Sequence, residues 1–235
     1  MKYLIYLIIL TTLVLPSTSE AQNINQNSGW AALFHSQKFS DKVGAHFDFQ
    51  VRSADDFDYV RNILIRPGVT WFIDNTKNAT LGYALILTNQ QLDGMSDSRL
   101  SESRIWEQFI YNQKIGKFSL AHRLRLEQRF IETNTDDIFS NRIRYFFRSV
   151  IPLKKQENKF NKGLFMALQN EVFINLQNKE KLNGHTFDQN RAYAAVGYRI
   201  NPKIDIEAGY LNQAIKGKAN NTSNNVMQFA LYTRF

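Results

Sequence analysis

The chain has 235 residues, with 29 Lys and Arg against 21 Asp and Glu, a formal net charge of +8 and no cysteine. The lack of cysteine excludes disulfides, thiolate metal ligands and a cysteine nucleophile. Its 18 Phe, 10 Tyr and 3 Trp are too many for an intrinsically disordered chain. The positive charge suits an anionic membrane or a nucleic acid and does not choose between them.

The first residues have the order of a secretory signal peptide. Lys2 precedes an apolar run over residues 3–15, and a small-x-small motif ends at Ala21. The run is shorter than the roughly 20 apolar residues that cross a bilayer, which disfavours the alternative of an N-terminal anchor helix. We therefore expect residues 1–21 to be cleaved after Ala21, and residues 22–235 to form an exported barrel domain.

The rest of the chain alternates apolar and polar residues with a period of two, which is typical of strands with one apolar and one polar face. In residues 203–210, for example, the apolar set is Ile204, Ile206, Ala208 and Tyr210, and the polar set is Lys203, Asp205, Glu207 and Gly209. The pattern predicts strands at 28–38, 43–53, 61–73, 79–91, 102–115, 117–131, 139–152, 163–176, 187–200, 203–215 and 225–235. No linker or composition break divides them, which indicates one domain.

Either a soluble sandwich or a membrane barrel could use such strands, and three features favour the barrel. The strands have ten to fourteen residues, whereas globular strands average about five or six. Short connections alternate with long polar ones, as in outer-membrane barrels, although the segment 153–162 is long where a short turn is due. Aromatic residues near strand ends suit interfacial girdles; they are Trp30, Trp71, Phe72, Tyr198, Tyr232 and Phe235.

These features predict an all-β fold, an antiparallel up-and-down transmembrane β-barrel of ten to twelve strands. We prefer twelve to the eleven counted, because bacterial single-chain barrels have an even number of strands and both ends in the periplasm. In such a barrel the apolar face meets lipid and the polar face lines the lumen.

The last strand resembles the C-terminal signal of Gram-negative outer-membrane proteins, which ends in Phe after alternating apolar residues. The residues that carry this resemblance are Met227, Phe229, Leu231 and Phe235, and Thr233 departs from the pattern. The resemblance implies the outer membrane as location, with its lipid and its assembly machinery as partners.

The exported part of the chain also resembles DUF2490, an outer-membrane family found largely in Bacteroidetes-type bacteria. The likeness is carried by the segments 122–130 (HRLRLEQRF), 141–145 (NRIRY), 170–175 (NEVFIN) and 188–191 (DQNR), together with Gly29-Trp30. The family implies an outer-membrane barrel with no assigned activity.

Arginine on the polar face of two neighbouring strands is the most unusual chemistry. The basic cluster comprises Arg123, Arg125, Arg129, Arg142, Arg144 and Arg148. Because like charges repel strongly in a dry interior, carboxylates must offset them. The candidates are Glu127, Glu171, Asp205, Glu207 and Asp48, with Glu107 on a strand of ambiguous alternation.

Three functions remain open at this point. The first is a filled, structural barrel held by an Arg–carboxylate network, and the second is a small channel that prefers anionic solutes. An accessory contact with a lipid, glycan or protein at the outer loops is the third.

A lipid-modifying enzyme using His46 and Asp48 is a weaker alternative, and we expect no enzyme activity. The sequence contains no metal or cofactor motif, and nucleic acid is not an expected partner of an exported chain.

Overall fold

A computed structural model describes residues 23–91, 98–116, 118–154 and 160–235. The predicted signal peptide, residues 1–21, lies outside the described residues. Within the described ranges, no helix has the length and apolarity that a membrane crossing requires.

Eleven strands make up nearly all of the described chain, and two short 3-10 turns, Asp55–Phe57 and Lys179–Lys181, lie in connections. The strands are β1 (Asn23–Lys38), β2 (Val43–Ser53), β3 (Val60–Phe72), β4 (Lys77–Gln90), β5 (Ser98–Ile115), β6 (Phe118–Ile131), β7 (Ile138–Pro152), β8 (Gly163–Asn175), β9 (Phe187–Asn201), β10 (Ile204–Ile215) and β11 (Asn221–Arg234). They correspond one to one to the predicted segments, so the all-β prediction is confirmed.

The strands close into a barrel in which every neighbour in sequence is a neighbour in space. Ten of the contacts are antiparallel, but the closing pair is parallel, with Asn23 opposite Asn221 and Ser36 opposite Arg234. The preference for twelve strands is therefore wrong. With an odd number of strands, the first and the last strand run in the same direction, so they can only pair parallel. The start of β1 and the end of β11 therefore lie at opposite mouths of the barrel.

The two mouths differ in their connections. At the short-turn mouth lie the connections 39–42, 73–76 and 202–203, and at the long-loop mouth lie 54–59, 132–137, 176–186 and 216–220. The span 153–162 between β7 and β8 is the exception, because it has ten residues and belongs to the short-turn mouth. In the turn after β3, the Oδ1 of Asp74 accepts hydrogen bonds from the hydroxyl and the backbone N–H of Thr76, both at 2.7 Å, and from the N–H of Lys77 at 2.8 Å. The bonds from Thr76 are the main reason why the pKa of Asp74 lies below its usual value.

The radial distribution of polarity is the inverse of that in a water-soluble core. Leu124 and Leu126 on β6 are 49% and 37% exposed, whereas Arg125 and Glu127 between them are 2% and 1% exposed. The same alternation holds on β10, where Ile206 and its apolar neighbours point outward. This confirms the prediction that the apolar face points away from the interior.

Two placements depart from the sequence-based expectations. Of the six aromatic residues assigned to an outer girdle, Trp71, Tyr198 and Phe235 are exposed, but Trp30, Phe72 and Tyr232 face the lumen. Glu107, a candidate lumen carboxylate, points outward and accepts a hydrogen bond from Gln128 at 3.1 Å. In both cases apolar residues occupy the inward positions, so hydrophobicity alone misassigns the face.

Candidate functional site: the charged lumen

Glu127 is the centre of an ion-pair network on the β5–β8 side of the lumen. Its Oε2 accepts from Arg142 at 2.6 Å, and its Oε1 accepts from Arg144 at 2.5 Å. Arg104 on β5 approaches at 3.6 Å and Arg125 at 4.0 Å. Register explains the first contact, because Glu127 lies directly opposite Arg142 on the neighbouring strand.

Glu171 and Glu102 extend the network in both directions. Glu171 on β8 accepts from Arg123 and Arg144, both at 2.7 Å. Glu102 on β5 takes two hydrogen bonds each from Arg104 and Arg129, which is the bidentate geometry that fixes both partners. Since Arg142 also pairs with Asp188 at 2.7 Å, these ion pairs link β5 to β9.

A second group of ion pairs lies near the short-turn mouth. Asp205 on β10 accepts from Arg199 at 2.7 Å and from Arg234 at 2.5 Å. Glu207, two residues further into the barrel, pairs with Arg148 of β7. That contact crosses the lumen, because β7 and β10 are not adjacent.

Every candidate lumen residue from the sequence faces the interior, Glu107 excepted. These are Arg123, Arg125, Arg129, Arg142, Arg144, Arg148, Glu127, Glu171, Asp205, Glu207 and Asp48. The four residues of the C-terminal signal, Met227, Phe229, Leu231 and Phe235, are all exposed on the outer face.

The sequence reasoning missed several lumen arginines. Arg66 on β3 pairs with Asp48 at 2.7 Å. Arg52 on β2 and Arg191 on β9 have amide partners: Arg52 donates to the Oε1 of Gln50 at 3.1 and 2.5 Å, and Arg191 donates to the Oε1 of Gln189 at 3.1 Å. Strand parity could have found Arg52, which alternates with Asp48 and Gln50 on the polar face of β2.

Many of these guanidinium groups stack on aromatic rings. Arg52 and Arg191 lie 3.8 and 5.2 Å from the ring centre of Trp30. Arg144 and Arg191 lie 4.4 and 4.7 Å from that of Phe173. Such stacking is favourable when the cation is desolvated, and it explains why aromatic residues take inward positions here.

Trp106 shows how the sequence makes room for an inward aromatic ring. Its indole lies against Gly82 and Gly68 on the two preceding strands, and a Cβ on Gly82 would come within 2.1 Å of it. The guanidinium group of Arg125 lies over the ring of Trp106, 4.4 Å from its centre. Glycine is therefore required at position 82 for the tryptophan and the arginine to occupy the lumen together.

The described residues line a larger and a smaller cavity in the lumen. The larger, of about 420 Å³, reaches the short-turn mouth and includes Ser36, Asn112 and Arg234 in its lining. The smaller, of about 220 Å³, lies toward the long-loop mouth. The cavities share four lining residues, Arg52, Arg66, Arg144 and Arg191, which form a layer of arginines between them. We call this the arginine layer.

The suspected His46–Asp48 pair is not assembled as a dyad. Asp48 accepts from Arg66 and from Gln50, while His46 lies edge-on to Trp106 with ring centres 5.8 Å apart. In the described part of the chain, the Nε2 of His46 has no hydrogen-bond partner, and no three His, Asp or Glu side chains converge as metal ligands do.

The barrel is apolar on its outer face and charged in its interior. The protein therefore belongs to the class of closed β-barrels with a polar lumen. Comparison with known proteins then gives the family. Residues 27–224 match the family described as protein of unknown function DUF2490, and the chain belongs to that family. A protein of Methylorubrum extorquens, itself uncharacterized, is similar: it is 28% identical over 192 residues, which cover 80% of this chain and 79% of the relative. No solved structure matches this chain.

Proposed function

We propose that the protein is an outer-membrane β-barrel of a Gram-negative bacterium whose lumen is closed by side chains, so that it resides in the membrane as a filled barrel. The observation that carries the location is the radial alternation on β6, where Leu124 and Leu126 meet the surroundings and Arg125 and Glu127 do not. Water penalises such an exterior, whereas hydrocarbon favours it.

Two further features support this location. Apart from the span 153–162, the connections at one mouth are shorter than those at the other, as on the periplasmic and outer sides of such barrels. The exposed alternation that ends in Phe235 suits recognition by the outer-membrane assembly machinery. A cleaved signal peptide over residues 1–21 would deliver the chain to that machinery.

The arginine layer supports a closed lumen. Arg144 is held from two sides by Glu127 and Glu171, and Arg66 is held by Asp48. Because each of these pairs is largely shielded from water, moving a guanidinium aside would leave a desolvated carboxylate without a partner, which is costly. Passive diffusion through the layer is therefore disfavoured.

The test is conductance in planar bilayers after fractionation has located the protein. We expect the folded barrel in the outer-membrane fraction and no steady conductance from it. The positive control is a variant that removes three of the four guanidinium groups of the layer, Arg52→Ala with Arg144→Ala and Arg191→Ala. Its folded barrel should conduct, which shows that the assay detects an open bore. Steady conductance by the unaltered protein would overturn the closed lumen, and recovery in a soluble fraction would overturn the location.

An anion-preferring channel is the second candidate, favoured by the excess of arginine around both cavities. It requires the unaltered protein to conduct, with a reversal potential that indicates anion selectivity. Substitution of Arg125 and Arg144 by Ala would then reduce that selectivity, because both guanidinium groups line the larger cavity.

A further inference from the structure

The larger cavity, which we call the short-turn vestibule, combines aromatic rings with arginines. Its wall includes Phe34, Phe72 and Phe146, and at its inner end it meets the arginine layer. On β7, Phe146 lies between Arg144 on the inner side and Arg148 on the mouth side. The vestibule therefore offers apolar contact surface next to a positively charged floor.

Two arginines of that floor have amide partners in place of carboxylates. Among the described residues, Arg52 and Arg191 form hydrogen bonds with amide oxygens and no ion pair. An amide oxygen orients a guanidinium without neutralising it, and the guanidinium cannot lose its proton at any pH that the protein meets. The two charges therefore persist in a largely desolvated site, which is unfavourable unless an anion joins them.

The carboxylates nearest in the vestibule are already engaged. Asp48 pairs with Arg66. The Oε1 of Glu171 accepts from both Arg123 and Arg144. Neither carboxylate can turn to Arg52 or Arg191 without leaving its own partner unpaired.

Geometry brings the two charges to one place. Both guanidinium groups lie on the ring of Trp30, at 3.8 and 5.2 Å from its centre, and both line the vestibule. Their positions are restricted by the amides of Gln50 and Gln189, so little side-chain entropy remains to be lost on binding.

We propose that the short-turn vestibule binds a small organic anion with an apolar body, whose anionic head lies at Arg52 and Arg191 and whose body contacts Phe34, Phe72 and Phe146. The volume of about 420 Å³ lies within the range of small-molecule sites, which are mostly apolar with a few placed polar groups. The proposal rests on the closed lumen proposed above, because an open bore would pass the anion and not retain it.

The experiment measures binding by isothermal titration calorimetry to the refolded barrel in detergent, with empty micelles as reference. The probes are octanoate, neutral octanol and inorganic phosphate. We expect octanoate to bind with one site, at least tenfold more tightly than either octanol or phosphate, because only octanoate has both the head and the body.

Variants separate the two parts of the site. Arg52→Gln with Arg191→Gln should weaken octanoate binding at least tenfold. The matched control, Arg61→Gln with Arg99→Gln, removes the same charge from exposed positions and should leave binding unchanged. Phe146→Ala should weaken octanoate severalfold and leave the weak binding of phosphate as it is.

Several results would overturn the proposal. These are no octanoate binding by barrels that show the heat-dependent gel mobility of a folded barrel, equal losses in the two arginine pairs, or equal affinity for octanoate and octanol. None of these outcomes bears on the closed lumen, which the bilayer measurement tests separately.

Discussion

Two sets of lumen arginines meet different partners. On β7, Arg142 and Arg144 face the carboxylates of Glu127 and Glu171 at 2.5 to 2.7 Å. On β2 and β9, Arg52 and Arg191 face the amides of glutamine side chains. The first arrangement neutralises charge and joins strands, whereas the second keeps charge in place and leaves it uncompensated. The role of a lumen arginine therefore depends more on whether its partner is a carboxylate or an amide than on its position in the lumen.

The first way to test this contrast is to remove the charge of Glu127, the centre of the ion-pair network. Glu127→Gln keeps the shape of the side chain but leaves Arg142 and Arg144 with one counter-charge fewer each, in an interior where Glu127 is 1% exposed. We expect the free energy of unfolding to fall by about 3–5 kcal/mol. Urea unfolding in lipid vesicles, followed by tryptophan fluorescence, measures this change.

The matched control is Glu107→Gln, the same substitution on the outward face of the neighbouring strand. Its partner is the neutral Gln128, so no ion pair is lost and no comparable destabilisation is expected. Equal losses in the two variants would show that the lumen network contributes no special stability.

The arginines with amide partners should respond differently: removing one of them should change the free energy of unfolding less, and in the opposite direction. Arg52→Gln removes a buried charge whose one polar partner, among the residues that the structure describes, is the amide of Gln50. Without any ligand we expect stability to stay the same or to rise by about 1 kcal/mol, because a neutral amide costs less to desolvate. The same urea titration applies, with Arg144→Gln as the comparison that should lose stability. A loss for Arg52→Gln as large as that for Arg144→Gln would contradict the contrast.

The smallest change in stability is expected at Asp74, a carboxylate in an exposed turn. It extends the comparison from buried charges to a charge in contact with solvent. The hydrogen bonds from Thr76 and Lys77 lower the pKa of Asp74, so its stabilisation of the turn is fully present above its ordinary pKa of about 3.9. This stabilisation is lost as the pH falls through the lowered value. Asp74→Asn should therefore be slightly less stable than the unaltered protein at pH 7, and the gap should narrow at acid pH. A gap that widens on acidification would be inconsistent with this assignment.

Strand parity made most of the barrel predictable from sequence. On β6 and β7 the inward positions are mostly charged and the outward ones mostly apolar, so the orientation of Arg125, Glu127 and Arg144 follows from alternation alone. On β5 the inward position of Trp106 breaks that pattern, and this is why alternation leaves the face of Glu107 ambiguous and does not single out Glu102 and Arg104.

Contacts across the lumen could not be predicted in the same way. The pairing of Arg148 with Glu207 joins strands that are three apart in the barrel. The contact of Arg191 with the ring of Trp30 also joins strands three apart, and it depends on a ring that hydrophobicity assigns to the outside. Alternation gives the face of a residue. It does not give the distance across a closed cylinder, which depends on the strand number and the tilt.

The parallel seam between β1 and β11 has a consequence for engineering. In a barrel with an even number of strands, the two termini meet at one rim and a few residues can connect them. Here Asn23 and Arg234 lie at opposite rims, so a circular permutant needs a linker that runs the whole height of the cylinder. For the same reason, reporter groups attached at Asn23 and at Arg234 would project from opposite rims of the cylinder.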